Sequence, residues 1–151
     1  MTTMNEIVII PMNESHLRDI AQIENVSFST PWSENLFALS LADTVNQSCF
    51  TALVDGKVGG YIILLHYFDE GELLNIATSP EMRKNGIAKK LMDKMISVMK
   101  EKEINRILLE VRESNVPAKT LYESYGFSSI AVRKNYYSKP TENAIVMEKH
   151  I

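Results

Sequence analysis

A single cysteine, Cys49, excludes an internal disulfide, and it lies in the apolar run Ser48 to Val54, which reads as a strand with its thiol in the core. A reducing, cytoplasmic setting is the expectation. No uninterrupted apolar run exceeds Tyr61 to Leu65, far short of the ~20 residues that a membrane helix needs. The amino terminus lacks a basic segment followed by an apolar one, so neither a bilayer span nor a secretory signal is expected. Lys and Arg are not in excess: the formal net charge is −3, which argues against a general nucleic-acid binder. Glycine and proline are sparse, at 6 and 5, and no linker, repeat or low-complexity stretch is visible. His16, His66 and His150 have no metal-ligand spacing, and one cysteine cannot build a zinc site, so no metal is expected.

What remains is an ordinary globular composition, 45% hydrophobic and 23% charged, in a chain of 151 residues, which predicts one domain over 1–151. Glu6 to Pro11 reads as a strand closed by proline. Leu17, Ile20, Ala21 and Glu24 recur at helical spacing after Ser15, a candidate N-cap. Thr30-Pro31-Trp32-Ser33 predicts a second helix start with proline at its first position, and Leu36, Phe37, Ser40 and Leu41 its inner face. Ser48 to Val54 and Lys57 to Tyr67 are strand-like, and Asp55-Gly56 between them is a hairpin signal. Leu73 to Thr78 adds a neighbour that stops at Ser79-Pro80.

After Gly86, Ile87, Leu91, Met95 and Met99 recur at three and four, the mark of an amphipathic helix. Its methionines read as core filler. Ile107 to Val111 is a further strand, which implies a parallel pairing across the helix. Ala118, Leu121, Tyr122 and Tyr125 mark a helix ending at Gly126. Ile130 to Tyr136 and Ala144 to Glu148 close the chain. The expected fold class is α/β, with a mixed, mostly antiparallel sheet flanked by about four helices.

Arg83-Lys84-Asn85-Gly86-Ile87-Ala88 lies between a strand and the long helix, where free backbone donors and the positive helix end face outward. Such a turn is an anion site. Gly86 and Ala88 leave room for a pyrophosphate at the backbone, and Lys84, Lys89 and Lys90 add charge. The turn has neither the Lys-Ser/Thr ending of a P-loop nor the G-x-G-x-x-G of a dinucleotide fold. By spacing alone, the opening of a solvated helix explains it as well.

Taken with the element order, the turn resembles the R/Q-x-x-G-x-G/A motif of the GCN5-related N-acetyltransferase (GNAT) superfamily, here Arg83, Gly86 and Ala88. Six further segments look like landmarks of its bacterial ribosomal-protein alanine N-acetyltransferases: Pro31-Trp32-Ser33-Glu34, Asn75-Ile76-Ala77, Leu109-Glu110-Val111-Arg112, Ser114-Asn115, Leu121-Tyr122-Glu123-Ser124 with Gly126-Phe127, and Asn135-Tyr136-Tyr137. Ala88 departs from the second glycine of the close family, and Arg83 from its frequent glutamine. The resemblance implies acetyl-coenzyme A as co-substrate. It implies that the backbone of Ile76, Ala77 and Thr78 holds the pantetheine arm as an added strand would. Arg83, Lys84, Asn85, Gly86, Ile87, Ala88 and Lys89 would wrap the pyrophosphate, and Asn115 would bond near the pantetheine.

An amine attacks a thioester only as the free base, and a departing thiolate is eased by a proton donor. The resemblance assigns Glu110 as the base and Tyr122 as the donor. Residue chemistry alone leaves Glu110 open between a base in a site lined by Leu109 and Val111 and a carboxylate paired with Arg112 or a nearby lysine. It leaves Tyr122 open between a donor and a core aromatic. Backbone amides near Ile76 and Ala77 are candidates to polarise the carbonyl. The resemblance places Trp32, Tyr136 and Tyr137 along the groove of the acceptor, the alanine-starting N terminus of a small-subunit ribosomal protein. Direct transfer in a ternary complex, by a monomer or weak dimer, is the expectation. Other acceptors remain open: a small amine, a lysine side chain, or none, in a cofactor-sensing module. Asp69, Glu70 and Glu72 are either a solvated loop or an attractor for a basic peptide.

Overall fold

The computed structural model describes residues 6–151. Seven strands, β1 (Ile7–Pro11), β2 (Gln47–Val54), β3 (Lys57–Tyr67), β4 (Glu70–Thr78), β5 (Arg106–Arg112), β6 (Ser128–Tyr137) and β7 (Glu142–His150), form one sheet in the order β1-β2-β3-β4-β5-β7-β6. Four helices flank it: α1 (Leu17–Ser27), α2 (Glu34–Ala42), α3 (Ile87–Glu101) and α4 (Val116–Ser124). Only β4 and β5 run parallel; the other neighbours are antiparallel, as the expected mixed class requires. No helix among the described residues is long and apolar enough to cross a membrane.

Each face of the sheet has its own core. On one, Leu17, Ile20 and Ile23 of α1 and Phe37 of α2 pack on Tyr61 and Ile63 of β3. On the other, Ile87, Leu91, Met92, Met95 and Met99 of α3 cover Ile62, Leu64, Leu73 and Ile107. Burying each such side chain contributes about 1.5–3 kcal/mol, so the three-and-four spacing of α3 decides which face it presents.

Three local expectations change. Asn13, not Ser15, accepts the capping bond, from the Ser15 amide at 2.9 Å, and opens a 3₁₀ turn (Glu14–His16) that leads into α1. Pro31 lies before α2 rather than within it, because Ser33 is the N-cap and its hydroxyl accepts from the Leu36 amide at 3.1 Å. Leu36 therefore points outward, while Phe37 and Ser40 are buried.

The feature that shapes the molecule is the brevity of its parallel pairing. β4 and β5 are in register only at Glu70–Arg106, Gly71–Ile107 and Glu72–Leu108. Immediately afterwards β4 carries a bulge: Leu64 of β3 faces Leu73 and Ile63 faces Asn75, leaving Leu74 extra. A bulge bends its strand and raises local twist, so β4 leaves β5 here. Beyond it β4 pairs with β3 as far as Thr78, and β5 pairs with β7 as far as Arg112. The sheet opens into a cleft with one strand edge bare on each side.

Candidate active site

Ile76, Ala77 and Thr78 lie on the bare edge of β4, partly buried, and the chain then turns through Pro80–Met82 into the basic turn. Lys84 and Gly86 both take left-handed φ, 69° and 82°. A Cβ on Gly86 would meet nothing within 4 Å, so glycine serves the backbone angle, not a close packing contact. Gly86 is the N-cap of α3 and supplies no side-chain bond, which leaves the first-turn donors of a 15-residue helix without a side-chain cap. Arg83, Lys84, Asn85, Lys89 and Lys90 are exposed around it, and the Asn85 amide bonds the Met82 carbonyl at 3.1 Å. A bare strand edge leading to an uncapped, lysine-rimmed helix start fits a thin, amide-bearing arm that ends in a pyrophosphate. Asn115, at the neighbouring end of β5, spends its Oδ1 capping α4 through the Ala118 amide at 3.2 Å.

The opposite wall carries the carboxylate. Ile107, Leu109 and Val111 alternate into the α3 core, so Glu110 faces the other side of the sheet, away from the Leu109 and Val111 expected to line it. Its partner is neither Arg112 nor a lysine: Arg133 of β6 places Nε 3.2 Å from Oε1, with the Glu110 side chain 19% exposed and Arg133 58%. Tyr136 and Tyr137 stack edge to face at 5.1 Å, and the Arg133 guanidinium lies 5.6 Å from the Tyr136 ring centroid. A hydrogen bond to Glu110 raises the Tyr136 phenol, and burial followed by the Glu110 charge pushes Tyr137 up to about 12. Glu72 faces the same group: burial first, and the Glu110 charge next, hold its carboxyl above the usual range, while Arg133 pulls it down. Tyr122 is buried on α4 against Phe127, at 6.1 Å between centroids, and burial with nearby Tyr137 pushes its phenol up to about 12. Glu110, Tyr136 and Tyr137 thus gather at the open end of β5, while Tyr122 is buried in the core on the α3 side.

Asp69 and Glu70 are tied elsewhere. The Asp69 carbonyl accepts from the Asn105 amide at 2.7 Å, and Glu70 pairs with Arg106 at 3.3 Å. Cys49 packs at the edge of the α1 core, and burial pushes its thiol up to about 11. His16 bonds Thr51 at 2.9 Å, His66 bonds Ser48 at 2.9 Å, and His150 lies 3.3 Å from Glu148. No group of three His, Cys, Asp or Glu able to hold a metal occurs among the described residues.

Two residues that carry no site role in the sequence tie this end of the cleft together. Arg112 donates to Ser29 Oγ at 3.1 Å, to the Ser138 and Pro140 carbonyls at 2.8 and 3.0 Å and to Glu142 at 3.1 Å, and its guanidinium lies 4.5 Å from the Tyr137 centroid. It joins the α1–α2 connection to the β6–β7 turn. Glu24, read in the sequence as one more position of a helix face, is 2% exposed and accepts bonds from Tyr61, Asn75 and the Trp32 amide. Trp32 itself stacks on Phe37 at 5.1 Å.

The comparisons with known proteins decide the family. Residues 17–127 match the acetyltransferase (GNAT) family model. The chain belongs to the GNAT family. A relative from Escherichia coli K12 named [ribosomal protein bS18]-alanine N-acetyltransferase is 35% identical over 129 residues, covering 83% of this chain and 84% of that protein. The protein of the same name from Haemophilus influenzae is 36% identical, covering 83% and 86%. The solved structure of the Escherichia coli ribosomal-protein-S18-alanine N-acetyltransferase superposes with a TM-score of 0.89 at 31% identity, over 97% of this chain and 94% of that one. The match spans the GNAT sheet described above, cleft included.

Proposed function

We propose that this GNAT protein transfers the acetyl group of acetyl-coenzyme A to the N-terminal alanine of a ribosomal protein of the bS18 kind, by direct attack in a ternary complex. The observation that carries the reading is the cleft: the bare β4 edge and uncapped α3 on one wall, and Glu110 among two tyrosines and an arginine on the other. The names of the relatives supply the acceptor. Residues 1–151 act as one catalytic domain.

An N-terminal amine has a pKa of about 7.7–8.0 and is mostly protonated at neutral pH. Glu110 takes its proton, directly or through one water, and Arg133, more than half exposed, swings off the carboxylate as the ammonium arrives. Bound acetyl-coenzyme A supplies the thioester carbonyl that the freed amine attacks. Of the backbone amides near Ile76 and Ala77, that of Ile76 points off β3 and stands as the donor to the carbonyl oxygen. Arg83 to Lys89 bind the pyrophosphate, and the Asn115 amide nitrogen, free of its capping role, donates near the pantetheine. A phenol near 12 lies well above a thiol near 8.5. Tyr122 therefore keeps its proton and stabilises the departing thiolate by a hydrogen bond rather than by full transfer. Trp32, Tyr136 and Tyr137 line the acceptor groove, and Glu72 adds negative charge beside it.

Mass spectrometry of ribosomal-protein N termini, with the gene present and deleted, tests the acceptor. Loss of the acetyl group from one alanine-starting protein is expected; an unchanged set of N termini overturns it. A panel of amines with labelled acetyl-coenzyme A separates the acceptor from the chemistry. Preference for free lysine or an aminoglycoside over an alanine-starting peptide removes the first and leaves the second.

A further inference from the structure

Glu24 is a buried carboxylate with no basic partner: no Lys, Arg or His stands within ion-pair distance of it among the described residues. Taking a charge out of water costs several kcal/mol unless hydrogen bonds replace the solvent. Three do. Oε1 accepts from the Tyr61 hydroxyl at 2.6 Å and from Asn75 Nδ2 at 2.8 Å, and Oε2 accepts from the Trp32 backbone amide at 2.9 Å. The donors come from separate places: the middle of β3, the bulge where β4 leaves β5, and the α1–α2 connection. A hydrophobic side chain here would leave the Tyr61 hydroxyl, the Asn75 amide and the Trp32 N–H unpaired, so the carboxylate is the one group that ties three separate elements together at this point.

We infer that Glu24 is a positioning residue for acetyl transfer, which fixes the Trp32 segment against the β4 bulge and so sets the acceptor wall of the cleft. The inference rests on the acceptor-side reading of Trp32 given above. Arg112 holds the same segment at Ser29, 3.1 Å away, so the connection is pinned near both ends, and Glu24 supplies the side-chain hydrogen bond to the Trp32 backbone.

The two oxygens are unequal, which makes glutamine a selective probe. Glu24→Gln keeps the shape but has one acceptor, and that oxygen serves the two donors at the Oε1 position. Its NH₂ then meets the Trp32 amide donor to donor, which breaks the Trp32 tether and leaves Tyr61 and Asn75 bonded. Tyr61→Phe does the reverse: it removes one donor from Oε1 and leaves Trp32 attached. Trp32 is the chain's one tryptophan, so its fluorescence reports on the tether directly.

In Glu24→Gln the emission is expected to move to the red and to become more accessible to acrylamide. KM for the acceptor is expected to rise about ten-fold, with kcat and the acetyl-coenzyme A Kd held within about two-fold. Tyr61→Phe is expected to keep wild-type emission and KM. The inference is overturned by wild-type emission or acceptor KM in Glu24→Gln. It is equally overturned if Tyr61→Phe reproduces the Glu24→Gln effect, since that is the mark of general loosening. Kinetics use whichever amine the wild type acetylates, so a failure on the alanine-starting peptide counts against the proposed acceptor and leaves the tether to be judged by fluorescence and by the other amine.

Discussion

The two walls of the cleft are built by different means. The β4–α3 wall is local and made of backbone: a bare strand edge, a turn with two left-handed residues and an uncapped helix start, all within Ile76 to Lys89. The opposite wall is made of side chains brought from across the chain, as in Glu110 of β5 with Arg133 of β6 and Arg112 with Ser29, 83 residues apart. A backbone site suits a co-substrate shared by many enzymes, because nearly any sequence with the right angles can make it. A side-chain site can be altered one residue at a time, which is what acceptor choice demands.

The sharpest way to break this division is Glu110→Gln. Turnover is expected to fall by about 10²–10⁴, the usual worth of a positioned base, with acetyl-coenzyme A affinity unchanged by calorimetry. The loss should deepen at lower pH, where less amine is free. Equal turnover in mutant and wild type across pH would remove Glu110 as the base and favour a sensor that does no chemistry.

Gly86→Ala probes the other wall. The left-handed φ of 82° costs a residue with a Cβ about 1–2 kcal/mol, although that Cβ would touch nothing. A turn that relaxes by this amount weakens acetyl-coenzyme A binding about 5–30-fold, with the acceptor KM unchanged. A matching rise in acceptor KM would show that the walls are not independent.

Glu72→Gln gives a smaller effect, on stability. Burial and Glu110 hold the folded Glu72 carboxyl above its ordinary value, so the folded state binds that proton more tightly than the unfolded chain. Stability from this group is then complete below the unfolded value and is lost as pH rises through the folded one. The mutant is expected to melt higher than wild type at pH 7, with the advantage fading as pH falls through the carboxylate range. A constant difference across pH would mean that Glu72 is not strained by its neighbour. The smallest expectation concerns Cys49: with its thiol near 11, it should react with Ellman's reagent at pH 7 far more slowly in the native protein than in the unfolded one.

The same division governs what could be read from the sequence. All seven strands and four helices were legible from periodicity and turn residues, because Asp55-Gly56, Ser79-Pro80, Gly86 and Gly126 mark their ends locally. The start of α2 was misplaced, since Pro31 imitates a first helical residue while the deciding bond is made by Ser33. The basic turn was legible for the same local reason. Glu110 and Tyr122 came from resemblance, and the strand period alone was enough to show that Glu110 cannot share a face with Leu109 and Val111. Its pairing with Arg133 could not be foreseen, because a register with β7 and then β6 intervenes. Glu24 was legible only as one position of the α1 face, with nothing to mark its bonds. A glutamate on an amphipathic helix ordinarily faces water, and only a fold that stacks β3, the β4 bulge and the Trp32 segment around it makes it an acceptor of three bonds.

The three-residue pairing of β4 with β5 has one more consequence, for the protein's lifetime in the cell. An unpaired strand edge is a template for any extended chain, and most proteins blunt theirs with charge, proline or a cover. Here the unpaired donors and acceptors lie where β4 and β5 part after three paired residues. A co-substrate bound along this edge, as proposed above, would act as its cover. At a concentration of 100 times its Kd, such a ligand adds about 2.7 kcal/mol to stability. Resistance to aggregation would then follow the supply of acetyl-coenzyme A, so that a starved cell loses the protein itself as well as its activity.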